Sequence, residues 1–145
     1  MPERETIERA REDAREGKSA STQAGEFVRE EMDHIREGKH GARSPQQAIA
    51  IGLSKARRAG VELPPPKGPS SVQRKAEQDI EAGEEGGRKK SRRRSRATSG
   101  ALKRESKRSA SRQALSRQAK RAAAKRGKRA RSAAAMKAGR TRKAA

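Results

Sequence analysis

Apart from Leu102, Leu115 and Met136, the large apolar residues of the chain fall within its first 80 positions, where they recur at helical rather than alternating spacing. In residues 3–16, Ile7, Ala10 and Ala14 form a thin stripe among acids and arginines three or four apart, such as Glu5 and Arg9. The pattern predicts a short, fraying helix ended near Gly17. In residues 22–37, Ala24, Phe27, Val28, Met32 and Ile35 share one side of a stronger helix, capped by Ser21 or Thr22 and stopped by Gly38. Glu31 intrudes on that stripe, so either the buried face is imperfect or Glu31 meets a cationic partner.

Residues 44–60 carry the clearest local signal. Ser44-Pro45-Gln46-Gln47 fits a capping box with proline at the first helical position. Ala48, Ile49, Gly52, Leu53 and Ala56 then line one face. Lys55, Arg57 and Arg58 sit near the negative end of the helix dipole. Gly60 ends the helix, Val61 can fold back over its last turn, and Pro64-Pro65-Pro66 forbids continuation. The two helices read as a hairpin packed through Phe27, Val28, Met32, Ile35, Ile49 and Leu53, with Val61 and Leu63 at one end and Gly52 allowing close approach. Ile51 points away from this set, either as a lone exposed residue or as a docking point for the first helix or a second copy. The hairpin is thus the candidate surface for weak self-association.

Composition changes the picture beyond residue 66. Four regions emerge: a charged N-terminal helix (1–19), the hairpin module (20–66), a linker with an acidic patch and a basic run (67–98), and an Ala/Arg/Lys-rich tail (99–145). A brief helix fits residues 72–82. The acidic patch, Glu77, Asp79, Glu81, Glu84 and Glu85, reads as a soluble spacer or as a segment that folds onto the tail and competes with nucleic acid. The formal charge of +21 is unevenly placed: residues 1–66 balance at 12 basic and 12 acidic, whereas residues 88–145 hold 24 Lys/Arg and one acid, Glu105. Alanine, arginine, lysine and glutamine favour helix in the tail, but like charges three and four apart oppose it. The tail is therefore expected to be disordered when free and helical, roughly over 101–125 and 129–139, once a polyanion is bound. The expected fold class is all-α and largely disordered.

Sixteen large apolar side chains look too few for a 145-residue packed core. The absence of cysteine excludes a disulfide scaffold. No apolar run approaches the ~20 residues that span a bilayer, and the first residues do not read as a signal peptide. A cytoplasmic, nucleoid-located polycation is the expectation.

Residues 25–32, 35–41 and 47–60, the last reading Gln-Ala-Ile-Ala-Ile-Gly-Leu-Ser-Lys-Ala-Arg-Arg-Ala-Gly, resemble a family of small bacterial proteins of unassigned function. That family is marked by a Gly-Lys-x-Gly stretch and a Gln-Ala-Ile-Ala-Ile-Gly-Leu-Ser-x-Ala-Arg-x-Ala-Gly helix. The resemblance covers about a third of the chain and implies a bacterial source and a small helical module, with no catalytic residues to carry over. The tail resembles, in composition only, the tails of linker-histone-like proteins.

Candidate chemistry lies in the tail. Arg88, Lys89, Lys90, Arg92, Arg93, Arg94, Arg96, Lys103, Arg104, Lys107, Arg108, Arg112, Arg117, Lys120, Arg121, Lys125, Arg126, Lys128, Arg129, Arg131, Lys137, Arg140, Arg142 and Lys143 can replace counterions condensed on a polyanion. Phe27 is the one aromatic residue, so stacking platforms for single strands are lacking and duplex is favoured. No zinc-finger spacing, leucine zipper or phosphate loop is present. His34 and His40, with Asp33, could be drawn as a metal site, but the two histidines are expected on different faces with Gly38 between them. No metal, cofactor or enzymatic activity is expected. The first functional expectation is sequence-independent binding and compaction of duplex DNA. RNA or ribosome association is the second, and a stress-protective role drawing on disorder itself is the third.

Overall fold

A computed structural model of the protein describes residues 1–86 and 91–144. Among the described residues there is no strand. Seven helices make up about three quarters of the described residues: α1 (Arg4–Arg15), α2 (Ala20–Arg36), α3 (Pro45–Arg58), α4 (Ser70–Glu84), α5 (Arg92–Arg104), α6 (Arg112–Lys125) and α7 (Gly127–Ala144), with a 3-10 turn at Lys107–Ala110. The chain divides into two compact units, Met1–Ser111 and Arg112–Ala145.

The expected hairpin is the centre of the first unit, where α2 and α3 make the most extensive helix contact. Its start differs from expectation: Ser19, rather than Ser21 or Thr22, accepts the Thr22 N–H and caps α2. Ser44 caps α3 as predicted, accepting the Gln47 N–H at 3.2 Å. The Gln47 side chain reaches back one residue further than a capping box requires, taking the Arg43 N–H at 2.6 Å. Gly38 and Gly60 both adopt the left-handed conformation that ends each helix, at φ 82° and 90°. Val61 folds back and donates its N–H to Ala56. At Gly52 the helices nearly touch: a Cβ there would lie 2.7 Å from the Val28 Cα. The packing set is only partly submerged. Phe27, Met32 and Ile35 are buried, while Val28, Ile49 and Leu53 are half-buried.

The rest of the unit covers this hairpin. α1 lies on α2 through Thr6, Ala10 and Ile7, with Arg9 bridging to Glu26 at 2.7 Å; Ala14, assigned to the stripe by periodicity, is exposed. α4 covers α3. Asp79, which the sequence groups with an acidic patch, is buried and joined to Arg58 (2.7 Å), Lys75 (2.6 Å) and the Ser54 hydroxyl (2.5 Å). Residues 102–110 close the loop end of the hairpin. Gly41 and Ala42 donate N–H groups to the carbonyls of Leu102 (2.8 Å) and Ser106 (3.1 Å), and Arg36 reaches the carbonyl of Ala110.

The expectation of a largely disordered chain is overturned. The described residues are 76% helical, and the tail, expected to order only on binding, is helix over α5, α6 and α7. Two physical reasons account for the difference. First, alanine is core material here: seven of the eleven buried apolar residues are Ala10, Ala24, Ala42, Ala48, Ala56, Ala76 and Ala110. Helices that approach over alanine and glycine bury backbone and Cβ surface that a count of large side chains omits. Second, like-charge repulsion is weak. α6 has three like-charged pairs at helical spacing, Arg117–Lys120, Arg117–Arg121 and Arg121–Lys125. At ~0.2–0.5 kcal/mol each they oppose helix by about 1 kcal/mol. Five alanines and a remainder rich in arginine, lysine and glutamine set the strongest helix propensities against that. The stress-protective reading, which drew on disorder, loses its premise.

Candidate functional site

Two constellations of charge stand out, one exposed and one buried. In the first unit, Arg92, Arg93, Arg94, Arg96, Lys103 and Arg104 lie on α5 and Lys107 and Arg108 on the 3-10 turn, all exposed. In the second unit, Arg112, Arg117, Lys120, Arg121 and Lys125 lie on α6, Arg126 in the turn opened by Gly127, and Lys128, Arg129, Arg131, Lys137, Arg140, Arg142 and Lys143 on α7. These too are all exposed. Arg88, Lys89 and Lys90 lie outside the described residues.

The second unit holds 13 Lys/Arg and no acidic residue. Among the described residues, none of those cations is within ion-pair distance of a carboxylate. α6 is two-faced: Ala114, Leu115, Gln118, Ala122 and Ala123 are half-buried, and the cations occupy the remaining arc. Arg112, Gln113, Ser116, Arg117 and Lys120 line a shallow open groove on it. The cations of residues 1–66 are differently placed. Lys55 sits on Glu30 and Glu31, Arg58 on Asp79, and Arg57 on the carbonyls of Leu63 and Pro64.

The buried constellation belongs to α2. Glu30 and Glu31 are both buried, and Glu31 is fully so. Of the two readings open for Glu31, the cationic partner holds: it is Lys55, whose Nζ lies 2.7 Å from Glu31 Oε2 and 3.1 Å from Glu30 Oε1. His40 Nε2 lies 3.1 Å from the other Glu31 oxygen. Among the described residues neither Glu31 oxygen has a hydrogen bond of good geometry; their contacts are charge pairs. Burial works against the charge on Glu30, but the Glu3 N–H, the Thr6 hydroxyl and Lys55 outweigh it and hold its carboxyl below the usual range. Burial likewise works against the charge on Lys55, and Glu31 and then Glu30 outweigh that and keep it protonated beyond the ordinary lysine range. Glu3, on the rim, is held low by His34 and then Lys39.

Sequence spacing puts His34 and His40 on separate faces, with Gly38 keeping them apart. The structure brings them together. Gly38 turns the chain back at φ 82°, and the two rings meet edge to face with centroids 6.2 Å apart. Glu31, not Asp33, completes the group: one donor atom from each of Glu31, His34 and His40 lies within 4.8 Å of the others. Glu31 and His34 are three apart on one helix face, a spacing visible in the sequence, whereas the return of His40 depends on the loop.

Among the described residues no helix is long and apolar enough to cross a membrane. No curated protein and no solved structure matches the chain. Residues 15–67, the stretch holding α2 and α3, match the family model for a family of unknown function (DUF6496), which fits the small domain of unassigned function that the hairpin sequence resembles.

Proposed function

We propose that this chain is a non-enzymatic protein that binds nucleic acid without sequence preference, duplex DNA first, and compacts it in the nucleoid. The observation that carries the reading is the second unit, with 13 exposed cations, no acid and no internal carboxylate to hold them. Cations already paired within a fold exchange one partner for another when they meet phosphate. Unpaired ones release condensed counterions from the nucleic acid, and that release drives association at low salt. The 18 residues of α7 span about 27 Å, along which a duplex presents on the order of 16 phosphates to the helix's seven cations. One helix leaves phosphate in excess, so several chains along the same duplex are needed to neutralise it, and that neutralisation favours close packing of duplex. Because α6 and α7 are helical beforehand, binding does not bear the cost of ordering them. Phe27 is buried, which removes the one aromatic ring from any role in stacking on single strands.

The test is a binding titration on duplex DNA across a range of salt, with the full chain and with residues 1–111. If about ten phosphates are contacted, log K for the full chain falls with a slope near −9 against log salt. Loss of the second unit makes the slope shallower by about 4–6. Equal slopes for the two proteins, or full-chain binding that ignores salt, overturn the reading. Recovery from cells of RNA that survives DNase, with no DNA, selects RNA as the partner instead.

A further inference from the structure

The buried constellation on α2 offers carboxylates and imidazoles rather than exposed cations, and its chemistry is that of a metal site. Two imidazoles and one carboxylate converge with donor atoms within 4.8 Å of one another, one ligand short of the four that a tetrahedral ion takes. We propose that Glu31, His34 and His40 bind one divalent transition-metal ion of the zinc, cobalt or nickel class, with water or another small ligand in the fourth position.

Three observations carry this beyond the residue types. The Glu31 carboxylate is fully buried and none of its oxygens has a properly directed hydrogen-bond donor among the described residues. A buried carboxylate in that condition calls for a cation. Lys55 supplies one charge on Oε2, and the ion takes Oε1, the oxygen that faces His40 at 3.1 Å.

The local charge balance also has room for a dication. Glu30 and Glu31 face Lys55, and Glu3 lies against His34 at 3.0 Å and Lys39 at 3.3 Å, while Lys39 is shared with Glu37 at 3.1 Å. Setting Lys39 aside, three carboxylates against one ammonium leave two negative charges, which one divalent ion cancels.

Finally, the outer contacts that orient a ligating histidine are in place. Glu3 lies 3.0 Å from Nε2 of His34 and Glu30 lies 4.0 Å from Nδ1. The Glu3 contact at Nε2 is of hydrogen-bond length, so it orients the ring with Nδ1 left for the ion. His40 Nδ1 lies 3.0 Å from the carbonyl of Gly41, which leaves Nε2 for the ion. Imidazole with carboxylate selects a borderline transition ion over magnesium or calcium, which prefer all-oxygen shells.

The experiment uses the untagged, nucleic-acid-free full chain, stripped with chelator and titrated with Co2+ while its visible d–d absorption is followed. The expected result is saturation at one Co2+ per chain with the intense bands of low-coordinate cobalt. Zn2+ displaces the ion and Mg2+ does not. His34→Gln and His40→Gln each weaken binding by about a hundredfold or more, since the loss of a ligand exceeds the ten- to hundredfold cost of losing an outer-shell contact. Asp33→Asn, which removes the acid beside the site without touching a ligand, leaves affinity unchanged. A wild-type titration with no saturable equivalent, or retention of full affinity by both histidine variants, overturns the proposal. Neither result depends on how the α6–α7 unit behaves toward DNA.

Discussion

Replacing Gly41 with alanine tests whether residues 102–110 belong to the folded unit. A Cβ at this position would run into the carbonyl of Glu105 and come within 2.9 Å of the carbonyl oxygen of Ser106. Both obstacles are backbone, so no side chain can swing aside, and the segment must lift away. With it go the two backbone hydrogen bonds from Gly41 and Ala42, the Arg36 contact to Ala110, and the burial of Ser109 and Ala110. At about 1 kcal/mol per hydrogen bond and somewhat less than that for an alanine methyl, the gross loss is ~4 kcal/mol. Entropy regained by the freed backbone offsets part of this, so the net loss of global stability is smaller than ~4 kcal/mol. The local effect is larger. The Ala42 amide, held by Ser106 in the wild type, is expected to exchange its hydrogen at least about tenfold faster. Trypsin should cut at Lys103, Arg104, Lys107 and Arg108 before it cuts within α2 and α3. Gly25→Ala is the control. Gly25 is an exposed position inside α2 where a Cβ meets nothing within 4 Å, so alanine there stabilises by about 0.5–1 kcal/mol. If Gly41→Ala leaves both Ala42 exchange and stability at wild-type values, residues 102–110 do not dock as described.

Other outcomes follow from the same contacts. Burial raises the pKa of Asp79, but Lys75, Ser54 and Arg58 outweigh it and leave its carboxyl below the ordinary 3.8. Its contribution is therefore complete above that value and is lost as pH falls through the lower folded value. Asp79→Asn should cost ~1–3 kcal/mol at neutral pH, reduced from a fully buried pair because Arg58 and Lys75 are 40% and 56% exposed. The gap to wild type should close on acidification below pH ~4 in denaturant titrations, and a gap constant from neutrality to pH ~3 contradicts the assignment. Far-UV circular dichroism of the free chain should already report the 76% helix, with little gain on adding duplex; a large gain would restore coupled folding. The large exposed apolar side chains among the described residues, Met1, Val72 and Met136, all lie outside the hairpin, so light scattering should find a monomer. A dimer that dissociates on Ile51→Ser would return the hairpin to the role of an association surface.

What is legible in the sequence is local. The Ser44 cap, the glycine stops at 38 and 60, the return of Val61 and the pairing of α2 with α3 each depend on residues within a turn or a short loop of one another. The demand of Glu31 for a cation is legible too, because a carboxylate set on an apolar stripe is costly to bury without a counter-charge. What is not legible depends on distant partners. Arg36 meets Ala110 across 74 residues, Lys55 meets Glu30 across 25, and Glu3 meets His34 across 31. Nothing at position 106 or 110 marks it as a lid for the α2–α3 loop. Docking there depends on the missing side chain of Gly41 and the smallness of Ala110, which look the same in a linker.

The cations draw the same distinction more sharply. In residues 1–86 lysine and arginine are interleaved with acids, so pattern alone does not separate a cation held by the fold from one open to a ligand. Lys55 and Arg58 are held by carboxylates, though their positions suit the dipole of α3 equally well. In residues 112–144 the question does not arise, because no acid is present to hold them. No acid within the segment competes for them, whatever the backbone does. For this reason the nucleic-acid reading survives the correction from disorder to helix. Ordering the segment changes the cost of binding and the geometry with which charge is presented, but not the number of counterions the segment can displace. A chain whose cationic segment gained helix and lost its salt-dependent binding would break that separation, and with it the link between the second unit and nucleic acid.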